Sequence, residues 1–425
     1  MSAEIICVGT ELLLGDILNT NAQYLAQQLA SLGIPHYYQT VVGDNPSRLA
    51  QAIQIAIERN LPSEKNSTQV LIFTGGLGPT PDDLTHETIA DFFGVTLVEQ
   101  PEIIEEIARK YAHRGREMTP SNRKQALIPQ GASVLPNPSG TAPGIIWQAG
   151  KKNLVIFTFP GVPSEMHRMW QETAIPYLKS LGFGKEIIYS RTLKFWGIAE
   201  SALAEKVSAF LNLPNPTVAP YASKGEVKLR ISAKAGSQSA ARELISPIEQ
   251  QLQQIGGSNY YGKDDDTLAS VVGRLLLTAG ETLSVAESCT GGGLGQMLTD
   301  VAGASKYFWG GVISYDNAVK ISLLKVDQED LAVLGAVSAT VAEQMAVGVR
   351  SLLSTSWGLS ITGIAGPDGG TATKPVGLVY IGLASPNGQV QSFEHHFGGI
   401  RDRGLIRHVS ACMALDHLRR QISSD

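Results

Sequence analysis

The chain contains few cysteines: only Cys7, Cys289 and Cys412 occur in 425 residues. Their odd number and wide separation exclude a disulfide framework and a structural zinc spacing, which is typical of a reducing compartment. The chain also lacks a long apolar run near its start, because Ile5–Val8 is too short for a signal or membrane segment and predicts a buried strand. We therefore expect a cytoplasmic protein without a membrane partner.

Excess positive charge is absent as well. The net charge is -5, with 43% hydrophobic and 17% charged residues. This balance is typical of soluble globular proteins and argues against binding to nucleic acid by bulk electrostatics. At 425 residues, the chain is too long for one ordinary core, and two or three domains are expected.

The most informative segment that is present surrounds Ser288. An apolar run, Thr282 to Val285, predicts a strand, and the sequence Ala-Glu-Ser-Cys-Thr-Gly-Gly-Gly follows it over residues 286–293. A serine at a strand end before a helix of small residues is well placed for nucleophilic attack. Backbone N–H groups in such a turn can point at an oxyanion or a phosphate.

A serine nucleophile needs a base, and two candidate residues follow a second predicted strand, residues 311–315. Tyr315 and Lys320 lie at or just past its end. A buried lysine can serve as the base, since burial lowers its pKa. The downstream histidines show no triad-like signature, which favours a Ser-Lys pair. Two alternatives stay open. In the first, the glycine-rich turn serves only to bind a phosphate or to allow close packing of the backbone. In the second, Cys289 is the nucleophile instead of an unreactive buried thiol.

These segments, together with Ser-Ile-Thr-Gly-Ile-Ala-Gly-Pro at 360–367, resemble the nicotinamide-nucleotide amidase domain of the CinA (competence/damage-inducible) family. The resemblance implies hydrolysis of nicotinamide mononucleotide to nicotinate mononucleotide and ammonia, without a cofactor. It implies a catalytic pair, Ser288 and Lys320, assisted by Tyr315, Thr362 and an arginine. Arg401 is the expected arginine, although Arg403 and Arg407 lie in the same stretch. The expected substrate-binding residues are Thr290, Gly291, Gly292 and Gly363.

Residues 1 to about 170 alternate between strand-like and helix-like runs, which predicts a parallel sheet with helices on both faces and a ligand site at the carboxyl ends of its strands. Two glycine-rich turns are expected to bind substrate phosphates through Gly75, Gly76, Gly78 and Thr80, and through Ser139, Gly140 and Thr141. Asp82 and Asp83 are the expected ligands of a divalent metal ion. The alternative for this pair is an N-cap on the helix that carries Ile89.

This region resembles the MoaB/MogA-type molybdopterin-binding-like domain found at the front of CinA proteins, as residues 75–85 and Phe-Pro-Gly-Val-Pro-Ser-Glu-Met at 159–166 indicate. The resemblance implies a three-layer α/β/α domain and metal-dependent hydrolysis of ADP-ribose to AMP and ribose 5-phosphate. Related domains adenylate molybdopterin, so a molybdopterin adenylyltransferase stays an alternative. A competence-associated interaction protein that only binds nucleotide is another.

The segment of residues 171–255 resembles the small α+β KH-like module of CinA proteins. It carries no Gly-x-x-Gly clamp with basic flanks, so we expect a spacer or dimerisation unit rather than an RNA-binding one. A Gly-, Ser- and Asp-rich stretch, Gly256 to Thr267, is the predicted linker to an α/β amidase domain at 260–425. We expect the whole chain to be a bifunctional, homodimeric enzyme of pyridine-nucleotide salvage, with domains at 1–170, 171–255 and 260–425.

Overall fold

A computed structural model describes residues 2–59, 68–149, 153–398 and 402–423. The chain divides into two compact units, one comprising Met1–Tyr189 with Ala233–Glu243 and the other Ser190–Ser232 with Leu244–Asp425. The described residues form three larger β-sheets of six, four and five strands and one two-stranded sheet. The predicted α/β multidomain architecture is confirmed.

The first sheet has six strands in the order β2-β1-β3-β8-β7-β6. Strands β2, β1, β3 and β8 run parallel, and β7 and β6 are antiparallel additions. A separate pair, β4 and β5, is antiparallel. The strands are β1 Ser2–Val8, β2 His36–Val42, β3 Gln69–Thr74, β4 Leu97–Glu99, β5 Leu127–Pro129, β6 Ser133–Leu135, β7 Gly144–Gln148 and β8 Leu154–Phe159.

Helices cover both faces of this sheet because its central strands are buried on both sides. Ile5 and Cys7 of β1 face one core with α2 and α6, whereas Ile6 and Val8 face the other with α3 to α5. The helices are α1 Thr10–Leu14, α2 Thr20–Ser31, α3 Pro46–Arg59, α4 Thr85–Phe93, α5 Pro101–His113, α6 Pro163–Met169 and α7 Ile175–Ser180, with a 3₁₀ turn at Pro120–Ala126 and a π turn at Trp170–Ala174.

The middle sheet has four strands in the order β10-β11-β9-β12. Its elements are β9 Ile187–Trp196, α8 Glu200–Lys206, α9 Ser208–Leu211, β10 Thr217–Ser223, β11 Glu226–Ala235, α10 Gln238–Gly256 and β12 Tyr260–Lys263. The prediction of a linker from Gly256 to Thr267 is wrong for the residues of β12, since β12 pairs with β9 and Tyr261 is 6% exposed. The Gly-, Ser- and Asp-rich composition of the stretch concealed one short strand that buries an aromatic ring.

The third sheet has five strands in the order β14-β13-β15-β16-β17, of which the first three are parallel. One face packs on α11, α12 and α16, and the other on α15. The elements are α11 Leu268–Ala279, β13 Leu283–Glu287, α12 Gly293–Thr299, β14 Phe308–Ile313, α13 Asn317–Leu324, α14 Gln328–Leu334, α15 Ala339–Leu353, β15 Trp357–Gly363, β16 Leu378–Ala384, β17 Val390–His396 and α16 Arg403–Ile422.

Candidate active sites

The nucleophile candidate Ser288 lies directly after β13, at the carboxyl end of the parallel strands. Its backbone N–H donates a 2.9 Å hydrogen bond to the carbonyl of Ile361 on β15. The turn that follows passes through Gly291 and Gly292, whose φ angles of 56° and 95° lie in the left-handed region. A side chain would be strained at either position, so the glycines are needed for the abrupt change from strand to helix.

Lys320 on α13 reaches this serine. Its side chain is 1% exposed, and its Nζ lies 3.3 Å from Ser288 Oγ. Nζ also donates hydrogen bonds to the carbonyls of Ser314, at 2.6 Å, and Tyr315, at 3.3 Å. Burial lowers the pKa of Lys320 below its ordinary value, against the opposing charge of Asp316.

The three contacts of Lys320 Nζ fit the ammonium ion, which can donate all three hydrogen bonds, and they also fit the neutral amine. An uncharged lysine has two N–H groups and one lone pair. In the neutral form, the two N–H groups can be donated to the carbonyls of Ser314 and Tyr315, which leaves the lone pair for the Ser288 hydroxyl. The arrangement can therefore accept the serine proton once the ammonium ion has lost its own.

Two arginines of α16 lie at this site, although neither is the one expected. Arg403 donates hydrogen bonds to the carbonyl of Gly366, at 2.6 Å, and to the hydroxyl of Tyr315, at 3.3 Å. Arg407 donates to the carbonyl of Thr290 at 2.6 Å. Arg401 lies outside the described residues. The Tyr315 side chain is 63% exposed, so it lies on the open side of the site.

Thr362 and Gly363 lie at the end of β15, beside the Ser288 turn. The Thr362 hydroxyl is buried and donates to the carbonyl of Ala336 at 2.7 Å. A Cβ on Gly363 would lie 2.6 Å from Val379 Cγ2, so packing against β16 requires the glycine. Both residues shape the strand end, and the Thr362 hydroxyl donates its proton within the protein.

One residue of this site that was not predicted from the sequence is Glu287, which lies directly before the candidate nucleophile Ser288. Its carboxylate is 2% exposed and accepts hydrogen bonds from the N–H groups of Gly292, Leu294 and Gly295 at 3.0, 3.0 and 2.8 Å. Gly291 N–H donates instead to the Ser288 carbonyl. The N–H groups of Gly291 and Gly292 are therefore paired within the protein, and substrate binding at these two residues stays a prediction. An acidic residue next to a glycine-rich turn was the signal available in the sequence.

Cys289 and the histidines, which are the alternatives to Ser288 and Lys320, lie in environments that differ from those of this pair. Cys289 is 6% exposed, and burial raises the pKa of its thiol to about 11. A thiol with that pKa is protonated at neutral pH and weakly nucleophilic. Among the histidines, His395 and His417 hydrogen-bond to each other at 2.8 Å. Within the described residues, no hydrogen bond joins a histidine to Ser288.

A second site lies in the first unit, at the carboxyl ends of β1, β3 and β8. A cavity of about 470 Å³ is lined there by Gly75, Gly76, Gly78 and Thr141, which were predicted to bind substrate. It also exposes five carboxylates, and no Lys, Arg or His lines it among the described residues. The carboxylates belong to Glu11, Asp44, Asp82, Asp83 and Glu165.

Packing within the protein requires the glycines at positions 75 and 76 of the first glycine-rich turn. A Cβ on Gly75 would lie 2.0 Å from the carbonyl of Val8, and one on Gly76 would lie 2.3 Å from the hydroxyl of Thr85. Such distances are far below van der Waals contact. The close approach of the loop to β1 and α4 therefore accounts for these glycines without a ligand.

The second turn is held by Asn137. Its Oδ1 accepts hydrogen bonds from the N–H groups of Ser139 and Gly140, and its Nδ2 donates to Glu165. Those two N–H groups are therefore satisfied within the protein. Of the three predicted residues in this turn, Thr141 lines the cavity.

The two aspartates were predicted either as metal ligands or as a helix N-cap. Asp83 Oδ2 accepts hydrogen bonds from the N–H and hydroxyl groups of Thr80, closing the turn before α4. Helix α4 begins at Thr85, its N-cap is Leu84, and no side chain caps it. The N-cap alternative is therefore wrong.

The donor set of the cavity fits a hard cation shared with a phosphate. Within the described ranges, no group of three or more His, Cys, Asp or Glu side chains is arranged to hold a metal ion by itself. Magnesium-type ions, however, commonly bind one or two carboxylates together with substrate phosphates and water. Asp82, with an exposed side chain, and Asp83 line the cavity and could provide those carboxylates.

Comparison with known proteins places these sites in a family. Three family models match in order along the chain: "Probable molybdopterin binding domain" over residues 4–180, "Damage-inducible protein CinA KH domain" over 190–262, and "CinA C-terminal domain" over 265–422. A CinA-like protein of Nostoc punctiforme is 74% identical over 99% of both chains, and one of Trichormus variabilis is 72% identical over 99% of both. The chain belongs to the CinA family.

Solved structures of CinA relatives correspond to part of the chain. The competence/damage-inducible protein of Agrobacterium tumefaciens is 37% identical, covers 37% of this chain and 97% of its own, and has a TM-score of 0.35. In the described part of this CinA protein, no helix is both long and apolar enough to cross a membrane.

Proposed function

We propose that the C-terminal domain of this CinA protein is a nicotinamide-nucleotide amidase, which hydrolyses nicotinamide mononucleotide to nicotinate mononucleotide and ammonia. The observation that carries the proposal is the placement of Lys320 Nζ. It lies 3.3 Å from Ser288 Oγ, in a buried position that lowers its pKa, and it contacts the carbonyls of Ser314 and Tyr315. This arrangement activates a serine without a histidine or a metal ion.

The reaction proceeds in two stages. Ser288 Oγ forms a bond to the amide carbon, its proton passes to Lys320 Nζ, and the carbonyl electron pair moves onto oxygen. When the C=O bond re-forms, the C–N bond breaks and the Lys320 proton leaves with ammonia. Water then attacks the acyl-serine, with Lys320 as base again, and releases the carboxylate and the free serine.

The charge around the nucleophile supports a phosphorylated substrate. Arg403 and Arg407 approach the turn from α16, and Arg403 contacts the exposed hydroxyl of Tyr315. Guanidinium groups are well suited to phosphate because they present several donors in one plane. A mononucleotide that places its amide at Ser288 can place its phosphate on this cationic side.

For the N-terminal domain, we propose metal-dependent hydrolysis of ADP-ribose to AMP and ribose 5-phosphate. Five carboxylates line its cavity, and no basic side chain does so within the described residues. A pyrophosphate would be repelled there without a bound cation, which is expected to be divalent and held by Asp82 and Asp83. Such a cation neutralises the diphosphate and polarises the phosphorus under attack.

We further propose that the protein is a cytoplasmic homodimer and that the KH-like module is a spacer or dimerisation unit. The net charge of -5 supports this role over nucleic-acid binding. Light scattering of the whole protein, and of a chain starting at residue 265, measures whether the dimer depends on the upstream part.

Incubation of the whole chain with both substrates tests the proposed reactions. Ammonia is followed with nicotinamide mononucleotide, and AMP with ADP-ribose, each with and without EDTA. We expect ammonia release in both conditions and AMP release only without EDTA. Turnover of neither substrate would contradict both proposals, and molybdopterin-dependent consumption of ATP would favour adenylyl transfer instead.

A further inference from the structure

The backbone N–H groups of the Ser288 turn can be accounted for one by one over residues 288–295. Ser288 donates to Ile361, Gly291 to the Ser288 carbonyl and Gly293 to the Thr290 carbonyl. The remaining partners come from Glu287, whose carboxylate accepts from Gly292, Leu294 and Gly295. Only the N–H groups of Cys289 and Thr290 have no hydrogen bond to another residue in the described part of the chain.

The Cys289 N–H contacts only the sulfur of its own side chain, and the Thr290 N–H has no partner among the described residues, although both residues are buried. Cys289 is 6% exposed and Thr290 is 1% exposed. The Thr290 hydroxyl is also buried and has no partner among the described residues. Buried backbone donors are nearly always paired, and an unpaired one costs free energy unless a ligand supplies the acceptor. These two N–H groups directly follow Ser288 along the chain and have no acceptor on another described residue, so they point to a ligand with a strong acceptor atom.

We propose that the N–H groups of Cys289 and Thr290 form the oxyanion hole of the amidase, an inference that rests on the proposed function of this domain. The acceptor is the amide oxygen of the substrate, which becomes an anion when Ser288 Oγ bonds to the carbonyl carbon and Lys320 takes the hydroxyl proton. The negative charge on that oxygen returns to the C=O bond when the C–N bond breaks. An N–H group directly after the nucleophile is the donor that serine hydrolases of other folds also use.

The neighbouring contacts hold these donors in place before substrate binds. Arg407 donates to the Thr290 carbonyl at 2.6 Å and so restrains the backbone directly after these two donors. The Glu287 carboxylate accepts hydrogen bonds from the N–H groups at the start of α12, so those groups are not free to bind the oxyanion. Donors that need no rearrangement during the reaction stabilise a transition state most effectively. Glu287 is therefore a positioning residue for the hole, whereas Cys289 and Thr290 contact the reacting oxygen.

An amide-to-ester replacement at position 290, made by incorporating the α-hydroxy analogue of threonine, removes this N–H and keeps the side chain. We expect kcat for nicotinamide mononucleotide to fall by about 10²–10³-fold with KM changed little, since one oxyanion donor contributes about that factor. The matched control is the same replacement at Gly291, whose N–H donates within the turn. We expect it to lower kcat by less than about tenfold. A position-290 ester that keeps a third of kcat, or loses no more than the control, would overturn the proposal.

A second measurement does not depend on turnover. The whole protein is crystallised with pyridine-3-boronic acid, which forms a tetrahedral adduct with a nucleophilic serine. We expect a boronate oxygen within about 3 Å of both backbone nitrogens, those of Cys289 and Thr290. An adduct whose oxygens face Arg403 instead contradicts the oxyanion hole. Failure of Ser288 to form an adduct, together with no ammonia release by the wild-type protein, contradicts the proposed amidase itself.

Discussion

Lys320 Nζ lies 3.3 Å from Ser288 Oγ although 32 positions separate the two residues. The serine follows β13, the lysine lies in the first turns of α13, and β14 between them runs parallel to β13. The carbonyl of Glu287 accepts a hydrogen bond from Ser314 N–H, and the carbonyl of Ser314 accepts one from Lys320 Nζ. The backbone at the strand ends therefore links the turn that carries Ser288 to Lys320.

Ser288→Ala is expected to lower amidase kcat by about 10³-fold or more, because it removes the attacking oxygen. The melting temperature should stay close to that of the wild type, since the change deletes one atom from a turn held by backbone contacts. Cys289→Ala is the matched control and should keep most of the activity. The reverse result, an active Ser288→Ala and an inactive Cys289→Ala, would make the thiol the nucleophile.

Lys320→Arg and Lys320→Met are expected to be inactive to a similar degree. Arginine keeps the charge but does not give up its proton in a protein, and methionine keeps the apolar stem without a base. In the wild type, kcat/KM should rise with pH through the pKa of Lys320, which burial places below the ordinary lysine value of 10.5. Activity of Lys320→Arg near the wild-type level would show that the residue supplies charge alone.

Glu287→Gln is expected to lower kcat more than it raises KM. A carboxamide has one acceptor oxygen, so it cannot satisfy all three N–H groups that the carboxylate binds, and the turn around Ser288 loosens. Glu281→Gln is the control from the same strand region. Glu281 accepts from Trp357 Nε1, which an amide oxygen can still do. Steady-state kinetics and calorimetry of both variants test this. Equal kinetic effects in the two would contradict a positioning role.

EDTA is expected to abolish AMP release from ADP-ribose and to leave ammonia release unchanged. Asp82→Asn should reproduce the effect of EDTA in the first assay, because it removes a carboxylate that lines the cavity. Asp83→Asn should in addition lower the melting temperature, since Asp83 closes the turn with Thr80. Asp91→Asn, at an exposed position on α4, is the control. Inhibition of both reactions by EDTA would contradict two chemically separate sites.

The paired histidines predict how stability depends on pH. Burial lowers the pKa of His417 to about 4, and burial also lowers the pKa of His395. The folded protein therefore binds fewer protons than the unfolded chain between pH 4 and 6.5, and the free energy of unfolding falls as pH decreases through that window. Calorimetry should show a smaller decrease for His417→Gln than for the wild type. His396→Gln, at an exposed site, should keep the wild-type decrease; equal behaviour of the two variants would contradict this assignment.

Much of the fold follows from local patterns. The apolar run Ile5–Val8 lies within β1, and the strands predicted at 282–285 and 311–315 overlap β13 and β14. Strand β12 was missed because four residues, Tyr260 to Lys263, show no clear alternation and are surrounded by loop-forming residues. Whether such a segment becomes a strand depends on a partner, here β9, which lies more than sixty positions away.

The sequence by itself determined the nucleophile turn, since a buried strand, a serine and a glycine run are all adjacent along the chain. It also presented Lys320, Tyr315 and several arginines as candidates. Only the tertiary structure decided which groups meet. Packing brings Lys320 Nζ to Ser288, aligns Arg403 and Arg407 on one helix and buries Glu287 against N–H groups that would otherwise face a ligand. Desolvation and hydrogen-bond geometry depend on neighbours distant in sequence, and local patterns do not encode them.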